Sequence, residues 1–165
     1  MISARFIQMV SDHWQEIAER VIRRIRRDKR LPDFEKYTDA DLRERARIIL
    51  QSLGTWLTST EPEIAQRCEH LARVRFEEGV PLHVIVYALQ TIRRSLIQYL
   101  RDQGVVSRPF EIYAEHELES DADRAFEAVI YHTVRSYEQA LRETPGKFGS
   151  AVKQPCEGPE LPWPI

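Results

Sequence analysis

Cysteine is scarce in this 165-residue chain: Cys68 and Cys156 stand 88 positions apart and neither belongs to a CxxC pair. The spacing suggests neither a zinc site nor a disulfide framework, and a reducing compartment fits it best. Lysine is scarce too, with 4 against 20 arginines, a skew that codon composition explains as readily as function. No run of about 18 apolar residues occurs, and the start, MISARFIQMV, lacks a charged region followed by a long apolar stretch. Membrane spanning and secretion are therefore not expected, and a cytoplasmic location is. Nor is there an excess of one charge: 24 basic residues face 26 acidic ones, which argues against a general polyanion binder and against an acidic disordered chain.

Helical periodicity and helix punctuation are abundant. A chain of this length fits one domain and buries roughly 70% of its unfolded surface without staple or metal. Phe6, Val10, Trp14, Ile17, Val21 and Ile25 form one stripe, predicting a first helix that ends near Arg30. Thr38, with Asp41 as a weak capping-box partner, opens a second helix carrying Leu42, Ala46, Ile49, Leu53 and Trp56. Ser59 or Thr60, with Glu61 and Pro62 in the first turn, opens a third with Ile64, Cys68 and Leu71, and Gly79 is its left-handed stop. From Val80 to Ile92 there is no Asp, Glu, Lys or Arg, so the fourth helix, starting near Leu82 and ended by Gly104, is predicted to be central and buried. The fifth, about Pro109 to Glu143, would be roughly 50 Å long. Residues 145–165 hold five prolines and three glycines and read as an irregular tail. The expected architecture is all-α: a helical domain over 1–144, then the tail.

Chemical signatures are few. None of the five histidines has Glu three residues before it, and His116-Glu117-Leu118-Glu119-Ser120 lacks the second histidine of a zincin. Cys68 sits in an apolar stripe as a buried small hydrophobe rather than a nucleophile. No GxSxG, phosphate loop or dinucleotide fingerprint is present, so neither enzymatic activity nor a metal is expected. The run from Arg20 to Arg30 gives the first thirty residues eight basic against four acidic groups, a local +4. It reads as a solvated helix face more readily than as a nucleic-acid grip, because the aromatic interleaving of single-strand binders is missing. An opposite patch, Glu111, Glu115, Glu117, Glu119, Asp121 and Asp123, opens the last helix and hints at self-association. His83 and Tyr87, four apart, share a face of the uncharged helix, and Arg75 borders the apolar stripe of the third, snorkelling at its edge.

The passage from an Arg- and acid-rich helix end through Gly79-Val80-Pro81-Leu82 and an uncharged helix into Ile92-Arg93-Arg94-Ser95-Leu96 resembles the N-terminal domain of RsbR-type stressosome regulators. So does Asp123-Arg124-Ala125-Phe126 through Tyr131 to Tyr137, and the likeness covers about residues 10 to 142. It implies a globin-like, dimeric module without haem that receives or relays a signal and usually precedes an effector domain. Here only the proline-rich tail follows, so the chain is a stand-alone relative or a fragment. In related haem-binding globin sensors the iron-ligating histidine lies four residues before the glycine of this turn. That position is Arg75, whose guanidinium stays protonated and cannot ligate iron.

The resulting expectation is a non-enzymatic sensor or protein-interaction domain without a cofactor, with a regulatory protein partner. Arg75, His83 and Tyr87 are candidate ligand or switch residues. A homodimer is expected through Ala122, Ala125, Phe126, Val129 and Ile130 of the long last helix. The alternatives are a haem- or small-ligand-binding globin-type sensor using His70, His83 and Tyr87, and a nucleic-acid-binding helical protein using the Arg20 to Arg30 run.

Overall fold

The computed structural model describes residues 2–29, 32–102 and 109–144. Five α-helices occur among them: α1 (Ile2–Arg27), α2 (Asp39–Thr58), α3 (Glu61–Glu77), α4 (Leu82–Asp102) and α5 (Pro109–Glu143), with one 3-10 turn at Pro32–Phe34 and no strand. The all-α architecture is the one the periodicity predicts. The tail at 145–165, the Gly104 stop and Cys156 lie outside the described residues, as do the side chains of Glu111, Glu115 and Leu118.

Local chemistry sets the helix ends. The Thr38 hydroxyl accepts from the Asp41 N–H at 3.1 Å while the Asp41 carboxylate accepts from the Thr38 N–H at 2.9 Å, a reciprocal box at the start of α2. At α3 the Glu63 carboxylate accepts from the Thr60 N–H at 2.7 Å and from its hydroxyl at 3.0 Å. Gly79 closes α3 with φ +71°; its N–H bonds the Phe76 carbonyl and the Val80 N–H bonds the Arg75 carbonyl, both at 3.0 Å. This is the Schellman arrangement, and its left-handed residue is the glycine expected there.

The first helix differs from expectation twice. It ends at Arg27 rather than Arg30. The Arg26 guanidinium reaches forward to the Phe34 and Tyr37 carbonyls at 3.0 and 2.6 Å and to the Asp39 carboxylate at 2.9 Å, binding the connection back against the helix. The helix also breaks its geometry at His13 (φ −118°, ψ 15°), where the imidazole lies 5.7 Å from the Tyr99 ring. No glycine or proline marks that kink in the sequence.

Packing divides the helices into two pairs. α1 lies along α2 and α3 along α5, while α4 rests on α1 and α5. Small residues allow close approach: at Gly54 of α2 an added Cβ would stand 2.9 Å from Ile7 Cγ2 of α1. Ala72 of α3 and Ala122 and Ala140 of α5 are buried. Along α4, Val84, Leu89, Ile92, Leu96 and Tyr99 are buried, so the uncharged helix is the central one predicted. The consecutive helices α2 and α3, by contrast, scarcely touch.

Candidate functional site: a cleft between α2 and α3

Where α2 and α3 fail to close, an apolar cleft remains. Its inner part, about 80 Å³, is floored by Val84, Ile85, Ala88, Leu89 and Ile92 of α4 and walled by Ile49 of α2 and Leu71 of α3, with Phe34 at one end. An outer part of about 380 Å³ continues along Ile48, Ile49 and Leu71 to Trp56 and Cys68. Ile48, which borders both parts, is 44% exposed, one of only two large exposed hydrophobics among the described residues. Long side chains from both helices (Arg45 and Ile48 facing Leu71 and Arg75) occupy the walls where small residues close the other seams.

Two guanidinium groups stand at the inner end. Arg45 lies 4.5 Å above the centre of the Tyr37 ring, a cation–π contact that holds it over the cleft. Arg75, whose side chain is 18% exposed, donates from Nη1 to the Glu78 carboxylate at 2.7 Å, and Arg45 Nη1 is 3.6 Å from the same oxygen. Partial burial opposes the charge on Glu78, but the Arg75 hydrogen bond and the two positive charges outweigh it and hold the carboxyl below its ordinary pKa. Two cations thus share one anion beside an apolar slot.

The opposite face of α4 is different in kind. Tyr87, Thr91 and Arg94 form a polar groove with Arg24 and Arg27 of α1 and with Asp28 just beyond its end, and Arg20, Arg23 and Gln98 extend it. Part of the basic run serves the fold: Arg20 pairs with Asp102, Arg23 donates to the Glu19 carbonyl at 3.3 Å, and Arg26 ties the connection to α2. Arg24, Arg27 and Arg94 face solvent along the groove.

The three candidate residues read from the sequence divide between these faces. Arg75 lines the cleft. Tyr87 donates its hydroxyl to the Asp28 carboxylate and packs its ring 6.4 Å from Phe34. His83, with a side chain 66% exposed, stands 3.8 Å from Asp33. His83 and Tyr87 do share a face, but it turns toward the α1–α2 connection and not into the cleft. His70 borders only the outer part and is exposed, so no histidine lines the inner slot. Arg45 was the residue the sequence reading passed over. The signal existed, because Arg45 follows Leu42 by three and precedes Ile49 by four, which puts a cation in the buried stripe of α2 just as Arg75 borders that of α3.

Of the five α5 residues expected at a dimer interface, Ala122, Ala125, Phe126 and Val129 are enclosed by the chain's own helices, Phe126 edge-on to Trp56 at 6.3 Å. Ile130 is half-buried, and its neighbour Tyr131 is 59% exposed.

Among the described residues no group of three or more His, Cys, Asp or Glu is placed to hold a metal ion, and no helix is long and apolar enough to cross a membrane. The described residues thus form an all-helical domain of five helices with an apolar cleft between α2 and α3. The chain belongs to the family described as the RsbT co-antagonist protein rsbRD N-terminal domain, whose model matches residues 15–146. The resemblance carried by Gly79-Val80-Pro81-Leu82 and the helices around it is thereby shown, and with it a regulatory, signalling character. No curated protein and no solved structure matches the chain.

Proposed function

We propose that this chain is a non-enzymatic, cytoplasmic sensor module of the stressosome-regulator kind, in which the state of the α2–α3 cleft is relayed by association with protein partners, a second copy of the chain among them. The observation that carries this reading is the cleft itself: in a domain of regulatory family, two consecutive helices leave an apolar slot open beside two arginines. Buried apolar surface left uncovered is costly, and a ligand-binding role gives that cost a use. Self-association through α5 would use the outward side bearing Ile130 and Tyr131, because the residues behind it already serve the core.

Light scattering across a dilution series tests the association. The intact chain should be dimeric at tens of micromolar, and Tyr131→Glu should be a monomer of unchanged melting temperature. A monomeric intact chain would remove self-association from the reading. Phe126→Glu is the wrong probe, since a carboxylate at a fully buried position would unfold the domain.

A further inference from the structure

We infer that the α2–α3 cleft binds a small unbranched amphiphile with a carboxylate head, a medium-chain fatty acid in chemical class. This deepens the sensor reading and rests on it. The head group follows from charge: Arg45 and Arg75 both address Glu78, leaving one positive charge beside the slot unmatched by that carboxylate. The acids near Arg45 on its own helix are committed elsewhere, Asp41 to the Thr38 cap and Glu44 to Arg47. A second carboxylate can bridge the two guanidiniums through charge-assisted hydrogen bonds, and Tyr37 beneath Arg45 keeps one of them in place.

The tail follows from shape. An inner slot of about 80 Å³, lined by Ile49, Leu71, Ile85, Ala88 and Leu89, offers an alkyl chain an aliphatic surface. From there the apolar path runs past Ile48 to Trp56, along the outer part of about 380 Å³. An alkyl chain lying in it would cover Ile48, whose exposure the fold otherwise leaves unexplained. Each buried methylene contributes about 0.8 kcal/mol of transfer free energy, so affinity should rise with chain length until the path is filled.

Calorimetric titration with decanoate, decanol and decyltrimethylammonium, each below its micelle concentration, tests the assignment on the intact chain. Decanoate should bind at least about tenfold more tightly than decanol, as expected where one charge-assisted contact separates them, and the ammonium compound should not bind measurably. In Arg45→Leu/Arg75→Leu that preference should fall to parity, and in Ala88→Trp both ligands should be excluded with the circular dichroism spectrum kept. The wild-type head-group comparison stands even where a variant folds poorly. Equal binding of decanoate and decanol overturns the carboxylate, and no binding of either overturns the amphiphile. Light scattering on the same samples separates the two readings. A chain that takes no decanoate yet still dimerises loses the ligand class alone, whereas one that binds decanoate as a strict monomer loses self-association alone.

Discussion

Helix α3 has two neighbours and treats them differently. Toward α5 it presents Ile64, Cys68, Ala72 and Phe76, all buried, with Phe76 edge-on to Tyr137 at 5.3 Å, and the two helices lie together along most of α3. Toward α2 it presents Arg67, His70, Leu71 and Arg75, and a cleft stays open. Residues one position apart, Ala72 and Leu71, therefore serve a closed seam and an open wall. Small side chains let helix axes approach, whereas long, partly charged ones bury their stems but keep their heads in solvent and hold the partner off.

The largest test of this contrast changes one side chain on each side. Ala72→Leu forces extra carbons into a fully buried seam and should cost about 1–3 kcal/mol, visible as a melting temperature several degrees lower. Ile48→Thr, on the lip of the cleft, should change stability by no more than about 0.5 kcal/mol. Equal losses from the two would mean that the cleft is as tightly packed as the seam. A smaller effect is expected at the corner where the sides meet. The Tyr137 hydroxyl donates to the Val80 carbonyl at 2.8 Å in a buried setting, so Tyr137→Phe strands an acceptor and should cost about 1 kcal/mol in denaturant unfolding.

The smallest effect is in pH, and its sign differs between the two sides. Glu78 on the open side has a lowered pKa, so its contribution is present above the ordinary carboxylate range and is lost as pH falls through the lowered value. Burial first, offset in part by Thr133, raises Cys68 above its ordinary 9.0, and burial raises Tyr137 above 10.0. Stability from these two is complete below those ordinary values and is lost as pH rises through and beyond them. Hydrogen exchange should accordingly show α2 and the end of α3 loosening first in acid, and the α3–α5 seam in alkali. Acid-labile protection along the seam instead would break the comparison.

Much of the fold was legible because it is written in neighbouring residues. Thr38 with Asp41, Ser59 or Thr60 ahead of Glu61 and Pro62, and the glycine at 79 each announce a helix end through chemistry spanning a turn or less. The uncharged run before Arg93 announced the central helix. The cleft was not legible, since a void is a relation between two helices and no single stripe records it. Arg75 was noticed at the edge of its stripe, but its meaning needed Arg45, thirty positions earlier, and Tyr37 beneath that. The α5 residues illustrate the converse: Ala122, Ala125, Phe126 and Val129 were expected to face a second copy, but apolar character alone could not say which copy of the chain covers them. The kink at His13 left no trace in an unbroken stripe.

The tether from Tyr137 to Val80 has a kinematic consequence. It fastens α5 to the corner joining α3 and α4, while Arg73 of α3 reaches Glu143 at the far end of α5 at 3.4 Å. Tied twice near their C-terminal ends and packed together along α3, the two helices form a single beam beside the cleft. Widening the slot then means turning the whole beam, and α5, with 35 residues the longest helix described, converts a small rotation near Leu71 into a larger sweep at its tip.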